Sequence, residues 1–465
     1  MDIQTLTSVE VPTILTAGES KIVLIKANYN GGAIVSLLLP IFFVFSFSFY
    51  AANLNSYFFG VFLLLFLMFI IKKGDVFDVV FYISITLFVG VPLISLLKWS
   101  SFNTFVDGNF REVFVEAKTV NSSISYVIFC ILGWWVGSLV KFRIKKIDIN
   151  SSRSDFVVRG SIFWFSASLF FMILFSFLFD YNIAGRSTTL ENSGVYYYAF
   201  PIDYLACLFS FAIGFDDEYF LKYKKTLLFL IAGYVVYKLT CGWKSPLLNI
   251  FLSFFFGYVS RRKYKEIYKL VFPLLLLLLI YVFVLNPIAD YVRGGGGEIS
   301  SNIYDINPFS NRLTEGTFFG VSLIENNLVK GAFSSGYLFF DFLDRIFPGN
   351  LFNQKTLDFY IAQELLGQPD SVQSTFAPGV LGMLAILDDV FLCVLYGFSF
   401  RFFINLLILL TYKSNNFILK YCLLGSLPAL IIYLCADGYY GGVEKMIVFS
   451  VIIYAFSYLV GQRKI

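Results

Sequence analysis

The chain alternates long apolar runs with short polar segments. A helix that crosses a bilayer needs about 20 predominantly apolar residues. Twelve runs come near or reach this length, and they are 33–52, 56–71, 76–97, 123–141, 160–180, 200–215, 226–242, 246–260, 270–288, 388–411, 417–435 and 446–461. The pattern therefore predicts an all-α polytopic integral membrane protein with about twelve transmembrane helices.

Three segments between these runs, 98–122, 181–199 and 289–387, are longer than a connection between helices requires. An ordered connection of this length usually carries a function or elements of its own. Within the largest segment, "FSSGYLFFDFLDRIFPGN" and "TLDFYIAQELLG" have helix-like spacing of aromatic residues, which predicts short helices on the membrane surface. We divide the chain into 1–288 with nine spans, 289–387 as a large external loop, and 388–465 with the last three spans.

Composition and charge extend this interpretation. The mean hydropathy is +0.75, and 14% of the 465 residues are charged, against about 25% in a soluble domain. With twelve alternating spans, most of the 35 Lys and Arg fall on one side, including "KFRIKK" at 141–146 and "RRKYKEIYK" at 261–269. Because positive residues concentrate in cytoplasmic loops, both termini are predicted to be cytoplasmic and the three long segments external. Among the Lys and Arg, Lys141 and Lys420 stand near the cytoplasmic ends of their spans, and Lys238 and Arg401 are the others within spans.

The reactive residue types limit the possible chemistry. The chain has no histidine, which removes the commonest general base and the commonest metal ligand. Six cysteines fall in or beside apolar runs without metal-like spacing, so we expect buried thiols, no bound metal and no cofactor. Acid–base chemistry would then depend on Asp, Glu, Lys or Tyr.

Cations near the external segments are candidates for binding an anion. Arginine suits phosphate because its planar group donates paired hydrogen bonds and stays charged, although any single loop cation is ordinarily just solvated. Lys238 lies deeper in a predicted span, where it either faces an anion or a wet cavity, or extends its amino group to the outer interface. The candidate cations are Arg186, Lys238, Lys244, Arg293, Arg312 and Arg345.

Carboxylates and aromatic residues on the same side add further candidates. Glu315 follows Arg312 by three positions, so the two share a face if "NRLTEG" is helical, either in a site or as a simple local ion pair. Asp388 and Asp389 stand at the mouth of a span, where helix capping is expected. Tyr197 and Trp243 could stack on sugar rings or belong to an interfacial aromatic belt.

Several features together resemble the bacterial O-antigen polymerases, the oligosaccharide repeat-unit polymerases of the Wzy type. The number of spans and the cytoplasmic termini are similar, and so are the external segment "AGRSTTLENSG", the short basic turn "GWKSPLL" and a dominant external loop containing "NRLTEGTFFG". Further along, "TFAPGVLGMLAILDDVFLCVLYG" is similar to the family's entry into the next helix through proline and glycine.

This resemblance implies an architecture like that of the GT-C polymerases and ligases, in the bacterial inner membrane with a periplasmic active site. It implies a glycosyltransferase, inverting and metal-independent, that moves a growing chain from undecaprenyl diphosphate to a hydroxyl of the next lipid-linked repeat unit. The implied partners are that lipid-linked oligosaccharide, membrane lipid and a chain-length regulator of the co-polymerase class, with no nucleic acid.

Within that reaction, Glu315 and Arg312 are the candidate catalytic residues. Diphosphate and sugar would be bound by the residues Arg186, Lys238, Lys244, Arg293, Arg345, Trp243 and Tyr197. One alternative is the O-antigen ligase, which is expected to use a periplasmic histidine that this chain lacks. Another is a lipid-linked oligosaccharide flippase or other transporter, which should place charges along a path through both halves of the membrane, whereas few charges lie within the predicted spans.

Overall fold

The computed structural model describes residues 76–93, 101–106, 109–140, 155–178, 202–240, 245–261, 315–326, 379–413 and 417–438, together with a few single positions. The helices in these ranges are α1 Val76–Ile85, which continues into a π-turn at Thr86–Gly90, α2 Ala117–Leu139, α3 Asp155–Leu178, α4 Ile202–Gly214, α5 Glu218–Leu221, α6 Lys224–Thr240, α7 Ser245–Arg261, α8 Glu315–Glu325, α9 Gly379–Leu387, α10 Val390–Lys413 and α11 Phe417–Asp437. Two strands, β1 Ser101–Val106 and β2 Asn109–Phe114, complete the described elements.

The described part of the chain is mostly helical, as the apolar runs predict. Helices α2, α3, α4, α6, α7, α10 and α11 coincide with seven of the predicted spans within six residues, and α1 with its π-turn covers most of the eighth, 76–97. Four of them, α2, α3, α10 and α11, are long and apolar enough to cross a membrane. The predicted spans 33–52, 56–71, 270–288 and 446–461 lie outside the described ranges, so the total of twelve stays a prediction.

The segment 101–114 is not helical and departs from the all-α prediction. Strands β1 and β2 pair antiparallel from Ser101 opposite Phe114 to Val106 opposite Asn109. The sequence between them is Asp107-Gly108, and Asp-Gly is the pair that a two-residue hairpin turn favours. Buried Val113 holds the hairpin to the core. We call the end of the helix bundle that carries this hairpin the hairpin end.

Helices α2 and α10 run parallel from the hairpin end and touch backbone to backbone. The contacts advance together along both helices: Gly133 faces Val394, and Gly137 faces Arg401. Asn405, further along α10, donates hydrogen bonds to the carbonyl groups of Gly137 (3.0 Å) and Val140 (2.9 Å). The Gly137 carbonyl also accepts from the backbone N–H of Val140 at 3.2 Å, so Asn405 adds a second donor there and ties the end of α2 to α10.

Helix α11 runs in the opposite direction and fixes the orientation of its neighbours. Tyr396 near the start of α10 donates to the carbonyl of Gly438, just after α11 (2.7 Å). Tyr421 near the start of α11 donates to Asp217, just after α4 (2.6 Å). Helix α11 therefore ends at the hairpin end, whereas α4 begins there. The alternation matches the predicted topology, and which end faces the periplasm stays a prediction.

Helices α8 and α9 fall within the segment assigned to the external loop, yet both are buried in the bundle. They lie side by side in parallel, with Gly316 against Gly379 and Gly320 against Gly382. Gly379 has a φ of +66°, a conformation that side chains with a Cβ adopt only with strain. The surface helices predicted at "FSSGYLFFDFLDRIFPGN" and "TLDFYIAQELLG" are outside the described residues, apart from positions 360 and 361.

Gly320→Ala is expected to destabilise the protein by about 1–3 kcal/mol. Its new Cβ would lie 2.5 Å from the backbone nitrogen of Gly382 and 2.8 Å from the carbonyl carbon of Leu381, and backbone atoms cannot move aside cheaply. The matched control is Gly233→Ala in α6, whose Cβ would meet nothing closer than a Leu169 methyl group at 3.5 Å. Thermal unfolding in detergent, followed by size-exclusion chromatography, should separate the two variants. Equal midpoints would contradict the packing described here.

Candidate functional site

Most of the candidate residues predicted from the sequence lie outside the described residues. They are Arg186, Tyr197, Trp243, Lys244, Arg293, Arg312 and Arg345. Two candidates can be placed: Glu315 is the first residue of α8, and Lys238 is in the last turn of α6.

Lys238 is buried and paired with a carboxylate. Its side chain has 0% exposure, and its Nζ lies 2.9 Å from Oδ1 of Asp203 in the first turn of α4. The hydroxyl of Tyr234, one helical turn before Lys238, donates to the same oxygen at 2.5 Å. The amino group also lies 5.5 Å from the ring centroid of Tyr234 and 5.9 Å from that of Tyr237. Lys238 therefore faces the carboxylate of Asp203 inside the bundle, and its role in binding a substrate anion stays a prediction.

The local sequence explains this arrangement. A cation in the last turn of α6 and a carboxylate in the first turn of α4 both interact favourably with the helix dipoles at those positions. Burial of either charge alone would cost several kcal/mol, so each requires the other. The sequence analysis missed Asp203 because it lies at the edge of an apolar run and 35 positions from Lys238, as residue numbers show.

Two further polar residues stand beside this pair. Asn249 near the start of α7 donates to the hydroxyl of Tyr433 near the end of α11 at 3.0 Å, and Tyr433 is close enough to Tyr234 for an electrostatic interaction. We call Asp203, Tyr234, Lys238, Asn249 and Tyr433 the Asp203 cluster. It joins α4, α6, α7 and α11 at the hairpin end.

The first residues of α8 and α9 reach the same end of α11. A Cβ on Gly316 would lie 2.8 Å from the Cα of Gly379 and 2.9 Å from the carbonyl oxygen of Ala436. Ala436 is three residues after Tyr433, within one turn of α11. Gly316, the residue after Glu315, and Tyr433 of the Asp203 cluster therefore both lie along the last two turns of α11, although the two segments are far apart in the sequence.

The parallel order of α8 and α9 sets their N-termini side by side at this position. A helix N-terminus presents free backbone N–H groups and a partial positive charge. Beside Gly316, the hydroxyl of Thr317 donates to the carbonyl of Phe88 in the π-turn at 2.6 Å. This bond satisfies a carbonyl group in the irregular turn and holds α8 in the bundle.

A second buried ion pair lies deeper in the bundle. Nε of Arg401 on α10 is 3.0 Å from Oδ1 of Asp78 on α1, and both side chains are 2% exposed. The indole of Trp134 donates to the same oxygen at 3.0 Å, and the guanidinium lies 5.7 Å from the Trp134 ring centroid. Phe81 stacks on Trp134 with centroids 3.8 Å apart. Sequence analysis placed Arg401 within a span but gave it no partner.

A third cluster has similar chemistry but lies at the opposite end of the bundle. Asp155 at the start of α3 pairs with Arg159 at 2.8 Å and accepts hydrogen bonds from the hydroxyl of Tyr223 at 3.1 Å. It is open to solvent, with Arg159 67% exposed. A pair this exposed contributes little to stability.

Other predicted roles can be compared with the structure. Asp389 accepts a hydrogen bond from the backbone N–H of Leu392 at 3.0 Å and so caps α10, while Asp388 accepts instead from the hydroxyl of Tyr126 at 2.8 Å. The five cysteines in the described ranges are free and buried, and Cys241 is outside them. Among the residues that the structure describes, no group of three or more Cys, Asp or Glu side chains is arranged to hold a metal ion.

No known protein family, characterised protein or solved structure matches this chain. The functional argument therefore depends on the residues and their geometry.

Proposed function

We propose that this protein is an O-antigen or related surface polysaccharide polymerase, which joins oligosaccharide repeat units carried on undecaprenyl diphosphate. In this proposal it resides in the bacterial inner membrane, the hairpin end faces the periplasm, and a chain-length regulator is its partner. The resemblance of "AGRSTTLENSG", "GWKSPLL" and "NRLTEGTFFG" to the O-antigen polymerases is the starting point.

One structural observation supports the proposal above the others. The Asp203 cluster includes Tyr433 of α11, and the N-termini of α8 and α9 pack against Ala436 and Gly438 at the end of the same helix, at one end of a bundle with candidate membrane spans. A transferase acting on a lipid-linked diphosphate needs positive groups for the leaving diphosphate and a carboxylate for the attacking hydroxyl, both close to the membrane surface. The described residues supply each type at this end.

The reaction then divides among these groups. The diphosphate departs with the bonding electrons of the anomeric C–O bond, and the positive helix N-termini with the nearby arginines of the loop would stabilise the charge that develops. A carboxylate at the hairpin end receives the proton of the attacking sugar hydroxyl. Arg312 and Glu315 belong to this proposal because they are at or just before the start of α8.

A lipid-linked oligosaccharide flippase is the second candidate, and the two buried ion pairs favour it. Charges buried within a membrane bundle commonly mark the path of a substrate or ion. The pairs Asp203–Lys238 and Asp78–Arg401 join different helices, and all four residues lie within predicted spans. The O-antigen ligase gains no comparable support from the described residues.

Deletion of the gene in its native host, followed by a lipopolysaccharide gel, distinguishes these functions. A polymerase deletion should abolish the ladder of long chains and keep the band that carries a single repeat. A flippase or ligase deletion should remove every repeat, including that band. An unchanged ladder would contradict all three functions. Complementation with the wild-type gene should restore the original pattern.

A further inference from the structure

Asp203 has a carboxylate oxygen that its protein partners leave open. Both polar contacts that the described residues make with Asp203, from Tyr234 and Lys238, are to Oδ1. The partners are buried, at 1% exposure for Tyr234 and 0% for the Lys238 side chain, whereas the Asp203 side chain is 24% exposed. The carboxylate is therefore held through Oδ1 by two buried groups, while its own side chain is partly exposed.

This geometry differs from that of a purely structural ion pair. In the Asp78–Arg401 pair both side chains are 2% exposed, and the carboxylate has no access to the exterior. Asp203 combines a fixed position with partial exposure, because Tyr234 and Lys238 restrict its rotation through Oδ1. A group that exchanges a proton with a substrate needs both properties.

We propose that Asp203 is the proton acceptor of the polymerisation reaction, with Lys238 and Tyr234 as its positioning residues. This inference depends on the proposed function and assigns the base that the function requires. The acceptor is a sugar hydroxyl of the incoming lipid-linked repeat unit. Lys238 is too deeply buried to bind that sugar directly, so its role is to hold and neutralise the carboxylate.

The hydroxyl oxygen of the incoming repeat unit forms a bond to the anomeric carbon of the growing chain, while the bond from that carbon to the diphosphate oxygen breaks. The bonding electrons leave with the undecaprenyl diphosphate. The hydroxyl proton passes to Oδ2 of Asp203 and is later released to water, which restores the carboxylate.

The test must separate catalysis from stability, because Asp203→Asn alone would leave the buried Lys238 without its counter-charge. The double variant Asp203→Asn/Lys238→Met removes both charges at nearly constant volume. The matched control is Asp155→Asn/Arg159→Met, which neutralises the similar cluster at the opposite end. Each would be expressed in the deletion strain, with its amount in the membrane measured by immunoblot and chain length read from the lipopolysaccharide gel.

We expect Asp203→Asn/Lys238→Met to reach the membrane at wild-type level and to reduce polymer formation at least about 100-fold, since general base catalysis contributes roughly that much or more. The control should give a wild-type ladder. A wild-type ladder from Asp203→Asn/Lys238→Met would overturn the assignment and leave the polymerase proposal intact. An unchanged ladder in the deletion strain itself would overturn both.

If the double variant does not accumulate, Asp203→Glu decides the question. It keeps the charge for Lys238 but displaces the carboxylate by one methylene group, which the partial exposure of this position permits. A shortened or absent ladder at normal protein level would support Asp203 as the acceptor, because positioning within about 0.5 Å matters for catalysis. Wild-type chain lengths would contradict it.

Discussion

Arg401→Met should lower the free energy of unfolding by about 3–5 kcal/mol, because it removes the guanidinium that is paired with the buried carboxylate of Asp78. The Asp78 side chain is 2% exposed, so water cannot replace the lost partner. Trp134 would still donate its hydrogen bond to the carboxylate, but a neutral donor compensates a buried charge only in part. An unfolding titration in detergent micelles, followed by tryptophan fluorescence, would measure the change.

The double variant Asp78→Asn/Arg401→Met is the control for this prediction. Replacing a buried pair by neutral residues of similar volume is often close to neutral for stability, so the double variant should recover most of the loss. A double variant as unstable as Arg401→Met would instead assign the effect to packing. Packing matters at this position because Arg401 lies against Gly137. A Cβ added to Gly137 would be only 2.8 Å from the Cβ of Arg401.

The helical spans could be predicted from the sequence because hydrophobicity and length are local properties. Seven predicted spans coincide with described helices within six residues, and α1 with its π-turn covers most of an eighth. The hairpin of β1 and β2 was not predicted, because long apolar runs identify membrane-spanning helices and do not identify short strands outside a bilayer. The signal was nevertheless present as Asp107-Gly108 between two short segments with aromatic and β-branched residues.

The buried ion pairs could not be predicted, because they depend on contacts between distant segments. Nothing in the sequence around Lys238 identifies Asp203 as its partner, since other carboxylates lie near the same predicted surface. The same holds for Arg401 and Asp78, which are brought together by the packing of α10 against α2 and of α1 beside them. For Lys238 the sequence left two alternatives, an anion or wet cavity inside the bundle and extension to the outer interface.

The segment 289–387 was assigned to an external loop because it lies between two predicted spans. Surface helices were predicted at "FSSGYLFFDFLDRIFPGN" and "TLDFYIAQELLG", whereas the described helices of this segment, α8 and α9, begin at Glu315 and Gly379 and are buried against each other. The spacing of Gly316 and Gly320, four residues apart, is the small-residue pattern that permits close helix packing in membranes. This pattern in an apolar segment could have predicted that α8 belongs to the bundle.

If the polymerase proposal is correct, Arg312→Ala should reduce polymer formation about 100- to 1,000-fold, the loss typical when one group that stabilises developing negative charge is removed. Arg312 precedes the start of α8 by three residues, and α8 begins beside the N-terminus of α9. The measurement is the ladder from the deletion strain that carries the variant, at matched protein level in the membrane.

Arg312→Lys and Glu315→Gln are the informative comparisons. Lysine keeps the charge but loses the paired hydrogen bonds of the guanidinium, so it should give a ladder of intermediate length. Glu315→Gln removes a negative charge from the first residue of α8, where a carboxylate favours the helix dipole. If Asp203 is the proton acceptor, Glu315→Gln should shorten the ladder without abolishing it. Complete loss in Glu315→Gln, with a normal ladder in Asp203→Asn/Lys238→Met, would transfer the role of the base to Glu315.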